Sequence, residues 1–182
     1  ILSVDKKVIV TGCSGFIGYN LASNLLNKDY EVIGIDSLNN AYDVNLKKFR
    51  LSKLESNKNL KFLNIDLSDN NSYEELQTLS EGTSTVFHMA ARAGVRQSFL
   101  DPASYVQDNT VATTNISNFT KSNEIEKLII ASTSSVYGDS GDMLMTENLD
   151  EKIQPPSVYA STKLSGEILS KIMLEDSSTK LV

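Results

Sequence analysis

A doubly wound parallel α/β sheet with helices on both faces is the fold this sequence predicts. Short β-branched runs alternate strictly with longer helical patterns, and the runs are almost continuously apolar, as strands covered on both sides must be. A glycine-spaced turn joins the first run to the first helix.

Taken in order, "KKVIVTG" (6–12) reads as a strand, 15–29 as a helix and "YEVIGID" (30–36) as a second strand. Residues 43–55 are helical, with Leu46, Phe49 and Leu54 expected on one side. A strand at 60–66, a weaker helix at 71–79 and a strand at 84–90 follow. A long helix is expected over 102–122, then a strand at 127–133, a polar loop with Gly138 and Gly141, and a helix over 157–175. Right-handed crossovers convert this alternation into strand order 3-2-1-4-5, and "STKLV" (178–182) begins a sixth strand. Residues 1–182 therefore read as one dinucleotide-binding domain, without internal repeat or interdomain linker.

Composition narrows the function classes. The 182 residues are 40% hydrophobic and 22% charged, ordinary for a globular chain with a real core. Lys and Arg total 17 against 23 Asp and Glu, a net charge of -6, so no basic field draws the chain to nucleic acid or to an anionic membrane. No apolar run is long enough to span a bilayer and no signal peptide is visible, which makes a cytoplasmic location the expectation. One cysteine, Cys13, and one histidine, His88, leave no cluster for zinc, so no metal site is expected. His88 ends a strand and reads as a packed core residue.

"VTGCSGFIG" spaces Gly12, Gly15 and Gly18 between strand and helix. Glycine suits a tight turn approached by a pyrophosphate, and the helix N-terminus adds free N–H groups and a positive dipole end. A lone glycine triplet is also compatible with a turn that binds nothing; Asp36, closing the next strand 18 residues beyond Gly18, supplies the missing context. Its carboxylate accepts from a ribose diol and repels a 2′-phosphate, which favours NAD over NADP. Asp66, with Leu67 beside it, ends another strand at the same sheet edge and is a candidate for the adenine side; Phe16 and Ile17 belong to the loop itself.

"TGCSGFIG", "GID", "HMAARAG", "STSSVYG" and "YASTK" occur in the order and approximate spacing of the extended short-chain dehydrogenase/reductases, and the chain resembles their NAD-dependent epimerase/dehydratase group over essentially all 182 residues. More narrowly, 36–54 and 88–98 resemble the UDP-glucuronate 4-epimerases, with Ser37 and Arg92 as departures where that group usually has Asn and often Gln.

Tyr159 and Lys163 lie four positions apart, on one helical face. The spacing alone fits a half-packed tyrosine and a solvated lysine equally well; the upstream motifs favour chemistry. An ordinary tyrosine would need roughly 3 to 4 kcal/mol of phenolate stabilisation to act as a base near neutral pH, and a neighbouring ammonium and a positive nicotinamide ring are the means. The resemblance implies that Tyr159 takes a sugar hydroxyl proton while hydride passes to NAD, that Lys163 also holds the nicotinamide ribose, and that Thr133 donates to the reacting sugar oxygen. For Thr133 the alternative is a strand-end residue satisfying backbone groups.

The resemblance further implies that Ala90, Ala91 and Arg92 border the cofactor and that Asn109 stands near the nicotinamide. Ser134 and Ser135 occupy places where related 4,6-dehydratases carry Asp and Glu for removal of water, so 4-epimerisation is expected over elimination, with the two hydroxyls meeting a sugar carboxylate. Arg96 either meets a substrate acid or is solvated. A UDP-sugar substrate, UDP-glucuronate favoured, and a homodimer through helices 102–122 and 157–175 complete the implied partners. Two alternatives stay open: an epimerase of another UDP-sugar, or a non-catalytic NAD-binding module. Family members need a C-terminal substrate-binding segment that these residues do not contain, so the chain alone is expected to bind NAD weakly and to turn over negligibly.

Overall fold

The computed structural model describes residues 6–138 and 155–182. Its strands are β1 (Lys7–Thr11), β2 (Glu31–Ile35), β3 (Leu60–Leu63), β4 (Thr83–His88), β5 (Lys127–Ile130) and β6 (Lys180–Leu181). They form one sheet in the order β3-β2-β1-β4-β5-β6, every neighbouring pair parallel. The sixth strand pairs with β5 and closes the sheet through Ile130 N–H to Val182 O at 2.9 Å.

Period-two alternation divides the strands between two cores. Val8, Val10 and Val32 face α1 (Phe16–Leu26) and α2 (Val44–Leu54), packing on Ala22, Leu26 and Leu54. Ile9, Ile33, Val86 and Leu128 face the other way, toward Leu76 of α3 (Tyr73–Leu79), Ile116 and Phe119 of α6 (Ala112–Ser122), and Leu174 of α7 (Val158–Leu174). Side chains such as Ile9 and Leu128 are wholly buried, each contributing roughly 1.5 to 3 kcal/mol by transfer from water.

Helix starts follow local chemistry. Ser157 caps α7, accepting from Ala160 N–H at 3.1 Å, and Asp43 caps α2 through Asn45 N–H at 2.9 Å. Pro102 opens α5 (Pro102–Tyr105) behind Asp101.

The helix expected over 102–122 is present as one uninterrupted run of α5, a π-helical turn at Val106–Val111 and α6, and an unforeseen α4 (Val95–Leu100) precedes it. Two expectations are corrected. Leu46 and Phe49 do not lie inward with Leu54; they are exposed, and the buried face of α2 carries Lys47, Leu51 and Leu54. The strands expected to reach 66, 90 and 133 stop at Leu63, His88 and Ile130, releasing the following residues into loops at one sheet edge. Of the polar loop, Gly138 is described and Gly141 lies outside the described residues.

Candidate active site

The loop after β1 is built by close approach. Gly12 adopts φ +66°, and a Cβ there would stand 2.8 Å from the backbone of Ala90 in the loop after β4. Gly15 N–H donates to Gly12 O at 2.9 Å, and a Cβ on Gly18 would fall 2.1 Å from that oxygen, so α1 starts hard against the loop. No side chain caps α1, leaving its first N–H groups available to an anion. Phe16 and Ile17 point outward, 72% and 61% exposed.

Beyond this loop lies a cleft of about 340 Å³, bordered by Gly12, Gly15, Asp36, Asp66, Leu67, Ala90, Ala91 and Arg92. Eight sequence-predicted residues thus converge on one space. Asp36 accepts Ser14 N–H on Oδ2 at 3.1 Å and Leu38 N–H on Oδ1 at 2.9 Å, which ties the second strand to the glycine loop. Asp66 accepts from Ser68 N–H and Oγ at 2.9 and 2.7 Å. Arg92 donates from Nε to Asp108 at 2.7 Å. Sequence reasoning missed Lys47, which borders the cleft with Nζ 3.9 Å from Asp36 Oδ1. The signal was present: Lys47 falls on the Leu51 and Leu54 stripe of α2, where a lysine is out of place unless its charge is used.

Asn109 is buried in the π-helical turn and does not border the cleft. Its Oδ1 accepts Arg92 N–H at 2.7 Å, and its Nδ2 donates to Arg92 O at 3.1 Å and Thr162 Oγ1 at 3.0 Å. Both amide hydrogens are therefore engaged within the protein, and the residue clamps the loop after β4 to α7. Thr162 Oγ1 donates to Tyr159 O at 2.8 Å, and the Tyr159 ring stands edge-on to Tyr105, centroids 6.4 Å apart. Tyr105 is anchored by its hydroxyl to Ala93 O at 2.8 Å.

Tyr159 is half-buried and Lys163, one turn on, is 4% exposed. Lys163 makes no hydrogen bond among the described residues, and burial, opposed by Glu167, pulls its pKa down to about 8. Neither residue borders the cleft of Asp36. Thr133 caps the 3-10 turn Ser134–Tyr137, its Oγ1 accepting Ser135 N–H at 3.2 Å, and the turn packs on α7. The cap uses only acceptor capacity, so the Thr133 O–H stays available to donate. Ser134 is exposed, Ser135 half-buried, and Arg96 on α4 is exposed, without an ion pair among the described residues.

His88 is fully buried between Thr11 Oγ1, 2.9 Å from Nδ1, and Thr113 Oγ1, 3.0 Å from Nε2. Thr11 Oγ1 also accepts Ala90 N–H at 3.1 Å, so His88 braces the cleft wall from behind. Burial, then the Lys163 charge, push its pKa down to about 3. The Cys13 thiol is buried and raised well above the usual thiol range by burial and then Asp36, and is inert. Among the described residues there is no group of three or more His, Cys, Asp or Glu that could hold a metal, and no helix long and apolar enough to cross a membrane.

Residues 9–180 match the family model described as GDP-mannose 4,6 dehydratase. The chain is 41% identical over 165 residues to a UDP-glucuronate 4-epimerase of Thermodesulfobacterium geofontis, covering 89% of this chain and 49% of that protein. It is 34% identical to a probable UDP-glucuronate 4-epimerase of Rhizobium meliloti, covering 90% and 48% respectively. Among solved structures, the UDP-glucuronic acid 4-epimerase of Bacillus cereus in complex with UDP-glucuronic acid and NAD superposes with a TM-score of 0.85 at 34% identity, over 97% of this chain and 55% of that one. The chain spans about half the length of the curated relatives it matches.

Proposed function

The chain belongs to the GDP-mannose 4,6-dehydratase family, and from that premise we propose that it is the cofactor half of an NAD-dependent nucleotide-sugar 4-epimerase that converts UDP-glucuronate to UDP-galacturonate. One observation carries the chemistry: a buried ammonium, Lys163, with no hydrogen-bond partner among the described residues and one helical turn from Tyr159. Burial of this cation is costly and is only opposed, not offset, by Glu167, and a phenolate forming beside it gives the charge a use.

NAD fits the residues present. Gly12 has no room for a Cβ, the first N–H groups of α1 are uncapped, and the Asp36 carboxylate faces the same cleft. Gly12, Gly15 and Gly18 with Phe16 and Ile17 would form the phosphate loop, Asp36 would accept from the adenosine ribose, and Asp66 with Leu67 would border the adenine. Ala90, Ala91 and Arg92 would wall the cleft, Asn109 acting by holding Arg92. Bound NAD supplies a hydride acceptor that returns the hydride to the opposite face of the sugar.

Tyr159 removes the proton from the sugar C4 hydroxyl and restores it after the 4-keto sugar has turned over. Lys163 stabilises the phenolate, and Thr133 donates its free O–H to the reacting oxygen. Ser134 and Ser135 offer neutral donors to the sugar carboxylate, with Arg96 as a second candidate. Although the family's description names a dehydratase, the two serines lack the acid and base that elimination of water needs, which favours epimerisation.

The relatives' greater length supports a further segment that completes the sugar pocket. Exposed Val106, Ile168 and Ile172 support a homodimer through helices 102–122 and 157–175 in a cytoplasmic enzyme. Turnover of UDP-glucuronate beside UDP-glucose and UDP-N-acetylglucosamine, by a version extended to the length of the relatives, tests the substrate. A clear preference for UDP-glucuronate is expected; preference for a neutral sugar refutes the assignment.

A further inference from the structure

We propose that Tyr105 is a positioning residue for the proton transfer, holding the ring of Tyr159 in the orientation from which it works as the base. The catalytic consequence rests on the proposed function of Tyr159; the contact between the two rings stands independently of it.

Tyr159 is half-buried, and among the described residues its hydroxyl makes no hydrogen bond. A tyrosine that must give and take a proton is poorly served by a bond at that oxygen, because the bond would compete with the substrate. Its orientation has to come from what the ring touches. Among the described residues the aromatic partner is Tyr105, with centroids 6.4 Å apart and planes at 82°, an arrangement that the quadrupoles of two rings favour.

Tyr105 is itself fixed from several sides. It is 2% exposed, it closes α5 where that helix packs on α7, and its hydroxyl donates to Ala93 O at 2.8 Å. The loop is shaped around the phenol: Gly94 adopts φ +110°, and a Cβ there would stand 3.3 Å from Tyr105 Oη and 2.9 Å from Gln97 Oε1. The Arg92 guanidinium lies 6.0 Å over the Tyr105 ring, and its Nε donates to Asp108 at 2.7 Å. Arg92 and Ala93 border the Asp36 cleft, so the ring that steadies Tyr159 is held by the cleft wall. A ring that merely filled space could become leucine at a cost in stability alone, whereas a ring that orients Tyr159 could not be lost without slowing the chemical step.

The test compares Tyr105→Phe, Tyr105→Leu and Tyr159→Phe with their parent, in a version extended to the relatives' length and at a temperature where circular dichroism shows each folded. Tyr105→Leu is expected to lower kcat for UDP-glucuronate at least about tenfold with KM changed less than about twofold, and Tyr105→Phe, which keeps the ring, to recover kcat to within about threefold of the parent. A purely structural role would lower the melting temperature without that split or that recovery. A Tyr105→Leu kcat equal to the parent's, or a Tyr105→Phe kcat as low as that of Tyr105→Leu, overturns the proposal. Tyr105→Met, also without a ring, takes the place of Tyr105→Leu should that variant fail to fold, and failure of both to fold overturns the proposal in favour of a structural role. A second measurement is independent of turnover: in the 182-residue chain labelled with 3-fluorotyrosine, the Tyr159 fluorine resonance is identified by its loss in Tyr159→Phe. It is expected to keep its position in Tyr105→Phe and to move toward that of the unfolded chain in Tyr105→Leu; an unmoved resonance overturns the proposal. Turnover retained in Tyr159→Phe, with the resonance moving as described, overturns the reading of Tyr159 as the base and leaves the contact with Tyr105 standing.

Discussion

Asn109 Nδ2 donates to Thr162 Oγ1 at 3.0 Å, joining the π-helical turn to the helix that carries Tyr159 and Lys163. The same side chain holds Arg92 N–H and C=O, so one amide ties the loop bordering the Asp36 cleft to the tyrosine helix. Replacing Asn109 by Ala leaves the Arg92 N–H without its 2.7 Å acceptor and should destabilise the chain by about 2 to 4 kcal/mol. Thr162→Val, which removes two bonds, the one from Asn109 Nδ2 and the one to Tyr159 O, should cost about 1 to 3 kcal/mol. Urea unfolding of the two variants measures both.

Gly12→Ala places a Cβ 2.8 Å from the Ala90 backbone at φ +66°. The loop cannot yield without moving β4, and a loss of at least about 2 kcal/mol is expected, visible as a lower urea midpoint. Substitution at Gly82, φ +76° with open space around it, should show only the smaller backbone cost.

His88 gives the chain an acid limit. Its pKa of about 3 in the fold against an ordinary 6.5 means that the unfolded chain holds more protons between those values. Stability contributed by neutral His88 is whole above pH 6.5 and is lost as pH falls toward 3, on the order of 4 kcal/mol in all. Thermal midpoints measured from pH 7 to pH 4 should fall, and His88→Gln should flatten that slope while lowering stability at pH 7.

Lys163 works in the opposite sense to its proposed use. Its pKa, about 8 in the fold against an ordinary 10.5, means that the folded chain holds fewer protons than the unfolded chain between those values. Stability therefore rises with pH across that window, and below pH 8 the buried charge costs at most about 3 kcal/mol. Lys163→Met should raise the melting temperature at pH 7 and, in an extended version, remove turnover. A melting temperature that fell instead would show that the ammonium is stabilising where it lies.

Much of this was legible in the sequence because it depends on periodicity and spacing. The strict alternation of strand and helix carried the parallel sheet and its order, and the glycine spacing marked the turn where Gly12 meets Ala90 in the fold. What escaped depends on contacts distant in sequence. The π-helical turn within the 102–122 helix carries Asn109 and Asp108, which reach back to Arg92, a pairing the local pattern does not carry. Lys47 was marked in the sequence only by its place on the Leu51 and Leu54 stripe; its partners Asp36 and Asn39 receive it only after the loop has turned. The bonds that hold the Asn109 amide to Arg92 and Thr162 were likewise not legible, since they join segments 17 and 53 residues apart.

The most direct test of Tyr159 as the base, supported by Lys163, is the rate of UDP-galacturonate formation from UDP-glucuronate by a version extended to the relatives' length, compared with its Tyr159→Phe variant. The substitution removes one hydroxyl from a ring packed edge-on against Tyr105 and should leave folding intact. A loss of at least about 100-fold in rate, with NAD affinity unchanged, is the predicted result. A Tyr159→Phe rate within a few-fold of the parent would contradict it and move the proton transfer to another group.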